Sequence, residues 1–148
     1  MITDDSVEID APAQLVWEVF SDVQRWPEWT ASVTSLVGQD GANLAVGKRF
    51  AIKQPGMSKL VWKVTAIDPG LSWTWAQRSP GVRVSARHDV IAQPDGRTLV
   101  RQQLDQRGLL GALIGRLMIK KTKRFLQLEA QGLKARSEEL SRANGSHS

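Results

Sequence analysis

Turn signals punctuate the middle of this chain at Asp40-Gly41, Pro55-Gly56, Asp68-Pro69-Gly70, Ser79-Pro80-Gly81 and Pro94-Asp95-Gly96. Proline presets the first turn dihedral and glycine accepts the left-handed one, so each cluster reverses the chain within a few residues. Between them, apolar side chains alternate with polar ones, the period of a half-buried strand. We read strands at Val33–Gly38, Lys48–Gln54, Lys59–Ile67, Ser72–Arg78, Val82–Gln93 and Arg97–Gln106. Links this short join only antiparallel neighbours, because a parallel pair needs a crossover of about a dozen residues or more. From Leu109 to Arg142 the period becomes helical, with no proline inside. A chain so ordered folds as an antiparallel meander followed by one long helix.

The N-terminal part adds a strand and two helices. Val7 and Ile9 mark a strand at Ser6–Ile9. Asp10 is a good N-cap, Pro12 suits the first turn, and Leu15, Val16, Val19 and Phe20 recur at helical spacing, which predicts a helix over Pro12–Ser21. A second short helix is expected at Trp26–Trp29, where Pro27 stops backward extension and both tryptophans fall on one side. The whole is expected to be one domain over residues 1–142, with a polar, disordered tail at 143–148.

Composition removes several function classes. With no cysteine, the chain has no disulfide and no thiolate ligand or nucleophile. Of its two histidines one lies in the tail, so no His-rich metal site is expected, and no cofactor motif or P-loop appears. No integral membrane segment is expected, since no apolar run approaches the roughly 20 residues that span a bilayer. The N-terminus lacks a basic region followed by an apolar one, so a cytoplasmic location is expected. The net charge is +5, and its densest basic run, Lys120–Arg124, reads as a solvated helix face. No nucleic-acid motif accompanies it. A monomer or homodimer is expected.

Strand parity assigns an inner face. Leu60, Trp62, Val64 and Ala66 share one side of their strand, and Leu71, Trp73, Trp75 and Gln77 share one side of the next. Val82, Val84, Ala86, His88 and Val90 follow, then Thr98, Val100, Gln102, Leu104 and Gln106. On the C-terminal helix, Leu110, Ile114, Leu117, Phe125, Leu128, Gly132 and Ala135 form an apolar stripe with Lys121 in its middle. Gly111 and Gly115 weaken the start of that helix, which suggests a mobile gate. The expected result is a cavity lined by Trp62, Trp73, Trp75, His88, Val100, Gln102, Leu117, Lys121 and Phe125, with Trp26 and Trp29 at its mouth. Unpartnered polar groups on such a wall cost about 1–3 kcal/mol each, so the glutamines and His88 are expected to meet each other, water or a ligand.

Several pieces occur in a telling order: Ala11-Pro12…Val16-Trp17, Trp26-Pro27-Glu28-Trp29, Gly47-Lys-Arg-Phe50, Trp62-x-Val64 before Asp68-Pro69-Gly70, Trp73-x-Trp75, His88, Gly96-Arg-Thr98-x-Val100 and Gly108-Leu-Leu-Gly111. Over almost its whole length the chain resembles the START-like (SRPBCC) superfamily of polyketide cyclases/dehydrases and lipid-transport proteins. The resemblance implies an α+β helix-grip fold of order β-αα-β6-α, a seven-stranded antiparallel sheet wrapped around a long C-terminal helix. It implies binding or transport of a hydrophobic or aromatic small molecule. A cyclase, aromatase or dehydratase is the alternative, and a protein–protein interaction module a further one. For an enzyme, His88 is the candidate acid/base, because its ordinary pKa suits neutral pH. No inward carboxylate or tyrosine accompanies it in this reading, which argues against catalysis.

Overall fold

The computed structural model describes residues Met1–Gly145. Its elements run β1 (Ile2–Ile9), α1 (Ala13–Ser21), a 3-10 helix (Val23–Glu28), β2 (Ser35–Gly38), β3 (Arg49–Lys53), β4 (Leu60–Asp68), β5 (Ser72–Ser79), β6 (Val82–Ala92), β7 (Thr98–Arg107), α2 (Gly111–Leu117) and α3 (Ile119–Gly145). The strands form one seven-stranded sheet in the order β1-β7-β6-β5-β4-β3-β2, and every pairing is antiparallel. β2 to β7 thus form the expected meander, and β1 closes its far edge beside β7. The sheet curls around α3, which packs against β1 and α1. This is the α+β helix-grip architecture. Trp73, Phe20, Phe50, Ile9 and Leu133 are the largest fully buried side chains.

Local chemistry departs from the sequence reading in five places. β1 begins at Ile2 rather than Ser6, because it pairs with β7 from Ile2 opposite Asp105 onward. α1 begins at Ala13, with Pro12 itself in the N-cap position (φ −65°, ψ 147°) and no side-chain cap. The carbonyl of Pro12 accepts the Val16 N–H at 3.1 Å, while the Asp10 N–H donates to Glu138 Oε2 at 2.9 Å. Asp10 therefore ties the chain to α3 instead of capping α1. The short second helix starts at Val23 and contains Pro27, because its bonds follow i→i+3 spacing, as in Trp29 N–H to Trp26 O at 3.0 Å.

The fourth departure is a bulge. The β4–β5 register shifts between Val64 and Ala66, so Ile67 turns inward opposite Trp73 and Ala66 faces solvent. Leu71 is likewise exposed, since it lies in the turn before β5 begins at Ser72. The fifth is an interruption of the C-terminal helix at Met118 (φ −103°, ψ 9°). α3 then continues to Gly145, past the Arg142 end expected, and the remainder of the expected tail, 146–148, lies outside the described residues.

Glycines set close approaches where helices meet the sheet. A Cβ on Gly111 would stand 3.1 Å from the Gln106 backbone, and one on Gly115 would stand 2.8 Å from Met1 Sδ and 2.9 Å from Gln106 Oε1. These two residues, expected to loosen the helix start, let α2 lie tightly on the end of β7. Gly115→Leu is therefore expected to lift α2 off β7, seen as faster backbone hydrogen exchange across Gly111–Leu117 with the β5–β6 amides unchanged.

Candidate functional site: an indole-walled cavity

The inner faces of β4 to β7 and the facing sides of α2 and α3 enclose a cavity of about 260 Å³. Its apolar wall includes Trp62 and Trp75 from the sheet and Ile114, Met118 and Phe125 from the helices. Met57, in the β3–β4 turn, completes one side. Of the residues expected from the sequence, Trp26, Trp62, Trp75, His88, Gln102, Lys121 and Phe125 line it.

Four others do not. Trp73 lies one layer behind, stacked face to face on His88 with ring centroids 4.1 Å apart and planes 12° apart. Val100 is buried in the core. Leu117 is 76% exposed, because the interruption at Met118 rotates α2 out of phase with α3. Trp29 packs on Trp26 with centroids 5.4 Å apart and abuts Gly132 of α3, away from the cavity wall. Trp26, expected at the mouth, is instead a buried inner wall, its Nε1–H donating to Phe20 O at 2.8 Å. Lys121 stands at the rim. Its Nζ lies 5.8 Å from the Phe125 ring centroid, and a Cβ on Gly56 would come within 2.7 Å of it.

His88 is held neutral. Its Nδ1–H donates to Trp73 O at 3.3 Å, leaving Nε2 as an acceptor. Phe20, Trp26 and Trp75 meet the ring edge-on at centroid distances of 5.4, 6.1 and 5.5 Å. Burial in this aromatic box penalises the imidazolium and pushes the pKa down to about 3, against a small opposing effect from the Trp73 carbonyl.

The sequence reading missed the cavity's carboxylate. Glu129 of α3 is buried, its Oε1 accepting from Ser32 Oγ at 3.1 Å and its Oε2 from Gln102 Nε2 at 2.9 Å. Thr30 Oγ1 shares a hydrogen bond of 2.8 Å with Ser32 Oγ, which anchors the hydroxyl. Desolvation raises the Glu129 pKa to about 7, outweighing the two hydrogen bonds that favour its charge. Gln102 lies directly opposite His88 in the β6–β7 register and bonds to Glu129, so it stands between these two groups. A wheel drawn through an unbroken helix hides Glu129. Counted within α3 alone, Leu126, Glu129, Leu133 and Ser137 follow i+3 and i+4 steps and are all buried.

Two further acceptors on the wall, Gln102 Oε1 and Gln106 Oε1, are buried without a hydrogen-bond partner among the described residues. Gln77 is satisfied by donating to Ser79 Oγ. Among the described residues, no three His, Asp or Glu side chains come together as metal ligands, and no helix is long and apolar enough to cross a membrane.

Many solved structures share this fold, among them the following three at low sequence identity. A hypothetical protein from Helicobacter pylori superposes with a TM-score of 0.78 at 16% identity, covering 93% of this chain and 88% of that one. The ZhuI aromatase/cyclase from Streptomyces sp. R1128 does so with a TM-score of 0.76 at 19% identity, over 98% of both chains. A START superfamily protein from Mycobacterium smegmatis gives 0.68 at 19% identity, over 94% of this chain and 98% of that one. No curated protein matches the chain by sequence. Residues 2–138 match the family described as polyketide cyclase / dehydrase and lipid transport. The chain belongs to that family.

Proposed function

We propose that the cavity binds an apolar or aromatic small molecule whose polar end donates hydrogen bonds, and that the protein serves as its carrier. The observation that supports this reading is the contrast between wall and polar groups. Indole and aliphatic surface surrounds the space, while Gln102 Oε1 and Gln106 Oε1 are buried acceptors without a partner, His88 Nε2 is a further acceptor, and the ammonium of Lys121 lies at the rim. A hydroxyl or phenol satisfies such acceptors. A fatty carboxylate placed among them would set its charge against these acceptors and against Glu129, with the Lys121 ammonium within reach only at the rim. The cavity lies near the lower end of the range usual for small-molecule sites.

The proposal is tested by filling the cavity. Ala86 lies on β6 at its wall, and Ala86→Phe is expected to weaken binding of a hydroxylated aromatic by about tenfold or more. Titration of wild-type protein with phenolic ligands is expected to give saturable tryptophan quenching, and fatty acids of similar size much weaker quenching. Equal binding by a correctly folded Ala86→Phe protein would place the ligand elsewhere.

One observation favours a second reading, a cyclase or dehydratase. Glu129, with a pKa near neutrality, can both give and take a proton, whereas His88 at about 3 is a weak base at neutral pH. In that reading Glu129 rather than His88 is the acid/base group. Glu129→Gln would then abolish turnover while leaving binding within about tenfold. Turnover that survives Glu129→Gln sinks this reading.

A further inference from the structure

Helix α2 is apolar on two sides, and protein covers only one of them. Ile114 and Met118 face the cavity, and Gly111 and Gly115 press on β7. The other side presents Leu117 at 76% exposure and Leu113 at 56%, and the turn that enters the helix adds Leu109 at 99% and Leu110 at 44%. These leucines lie within nine consecutive positions and are the densest exposed apolar group on the molecule. An exposed apolar patch rimmed by charged residues marks a contact surface for protein or lipid.

Charge identifies the medium. From Gln106 to Leu128 the sequence contains no aspartate or glutamate. Arg116, Lys120, Lys123 and Arg124 in that stretch are exposed, and none takes part in an ion pair among the described residues. Arg107, at the edge of the stretch, is already neutralised by Asp105 at 2.7 Å. Exposed leucines beside unpaired cations are the two halves of an interfacial anchor. The leucines enter the acyl boundary and the cations stay among anionic headgroups.

We propose that the Leu109–Leu117 segment, with Arg116, Lys120, Lys123 and Arg124, docks the protein onto an anionic lipid surface. Docking sets α2, whose inner side lines the cavity, directly against the bilayer. The proposal does not rest on the identity of any cavity ligand, since the exposed face and the cavity face carry different residues.

Vesicle co-sedimentation tests it with the whole chain and no added ligand. The protein is expected to pellet with vesicles of mixed phosphatidylcholine and phosphatidylglycerol and to be released by high salt, while vesicles of phosphatidylcholine alone retain little. Lys120→Glu with Lys123→Glu is expected to weaken binding at least about twentyfold, since each cation near such a surface is worth about fivefold. Leu113→Ser with Leu117→Ser is expected to weaken it about tenfold or more. All four positions are solvent-facing, so circular dichroism and melting should stay close to wild type for both variants. Equal binding to neutral and anionic vesicles, no binding to either, or indifference to both variants overturns the proposal. So does light scattering that shows a dimer which Leu113→Ser with Leu117→Ser converts to monomer, because the face then belongs to a second copy.

Discussion

Gly132→Ala is expected to destabilise the protein by about 3 kcal/mol, lowering the melting temperature by about 6–12 °C. Helix propensity alone predicts the opposite sign, a gain of about 1 kcal/mol for alanine over glycine inside a helix. Packing decides the outcome. A Cβ at Gly132 would stand 1.9 Å from the carbonyl oxygen of Trp29 and 2.9 Å from its carbon. That carbonyl belongs to backbone rather than to a yielding side chain. It is pinned by the Trp29 N–H bond to Trp26 O and by the indole contact with Trp26. Either α3 or the 3-10 helix must move, and Thr30 and Ser32 move with it. The Ser32 bond to Glu129 is then lost as well, so the variant should also show a changed Glu129 titration. A thermal melt in which Gly132→Ala equals or exceeds wild type would show that this contact is not tight.

The second large effect is a concealed pH dependence. Glu129 has its pKa raised from 4.5 to about 7, so the folded state binds the extra proton between those values. Its contribution to stability is complete below pH 4.5 and is lost as pH rises through about 7. His88 has its pKa lowered from 6.5 to about 3, so the unfolded state binds the extra proton between those values. Its contribution is complete above pH 6.5 and is lost as pH falls toward about 3. At about 1.4 kcal/mol per tenfold change in proton affinity, these amount to about 3 and about 5 kcal/mol. Between pH 4.5 and 6.5 the two slopes oppose and nearly cancel.

Single substitutions are expected to uncover each slope. Glu129→Gln should be increasingly more stable than wild type as pH rises from 4.5 to 7, by on the order of 3 kcal/mol at the upper end. His88→Gln should be increasingly favoured relative to wild type as pH falls below 6.5. Urea unfolding across this range, with both variants beside wild type, measures the differences. Offsets that do not change with pH would mean that neither group is held in the protonation state described.

Strand parity placed His88, Gln77, Gln102 and Gln106 on the inner face because a side-chain period of two survives wherever the ladder is regular. It failed at Ala66, where one bulged residue exchanges the faces of β4. Nothing in Val64-Thr65-Ala66 marks a bulge, since no glycine is needed there. On the C-terminal side the error lay in phase. Met118 is an ordinary helix former, so the interruption is invisible in residue types, yet it turned Leu117 outward and concealed Glu129. Trp73 shows a different limit. Parity gives the correct face, but depth depends on the α1 side chains stacked beneath, and Trp17 and Phe20 hold Trp73 in the layer behind His88.

The site of binding is read most directly from the six indole N–H signals of the protein in a nitrogen–proton correlation spectrum. Titration with a hydroxylated aromatic is expected to shift the Trp26, Trp62 and Trp75 signals along one saturable curve and to leave Trp17, which lies off the cavity wall, in place. Shifts confined to Trp17 or Trp29, or no saturable shift with any member of a phenolic panel, would contradict a ligand held between the sheet and α3.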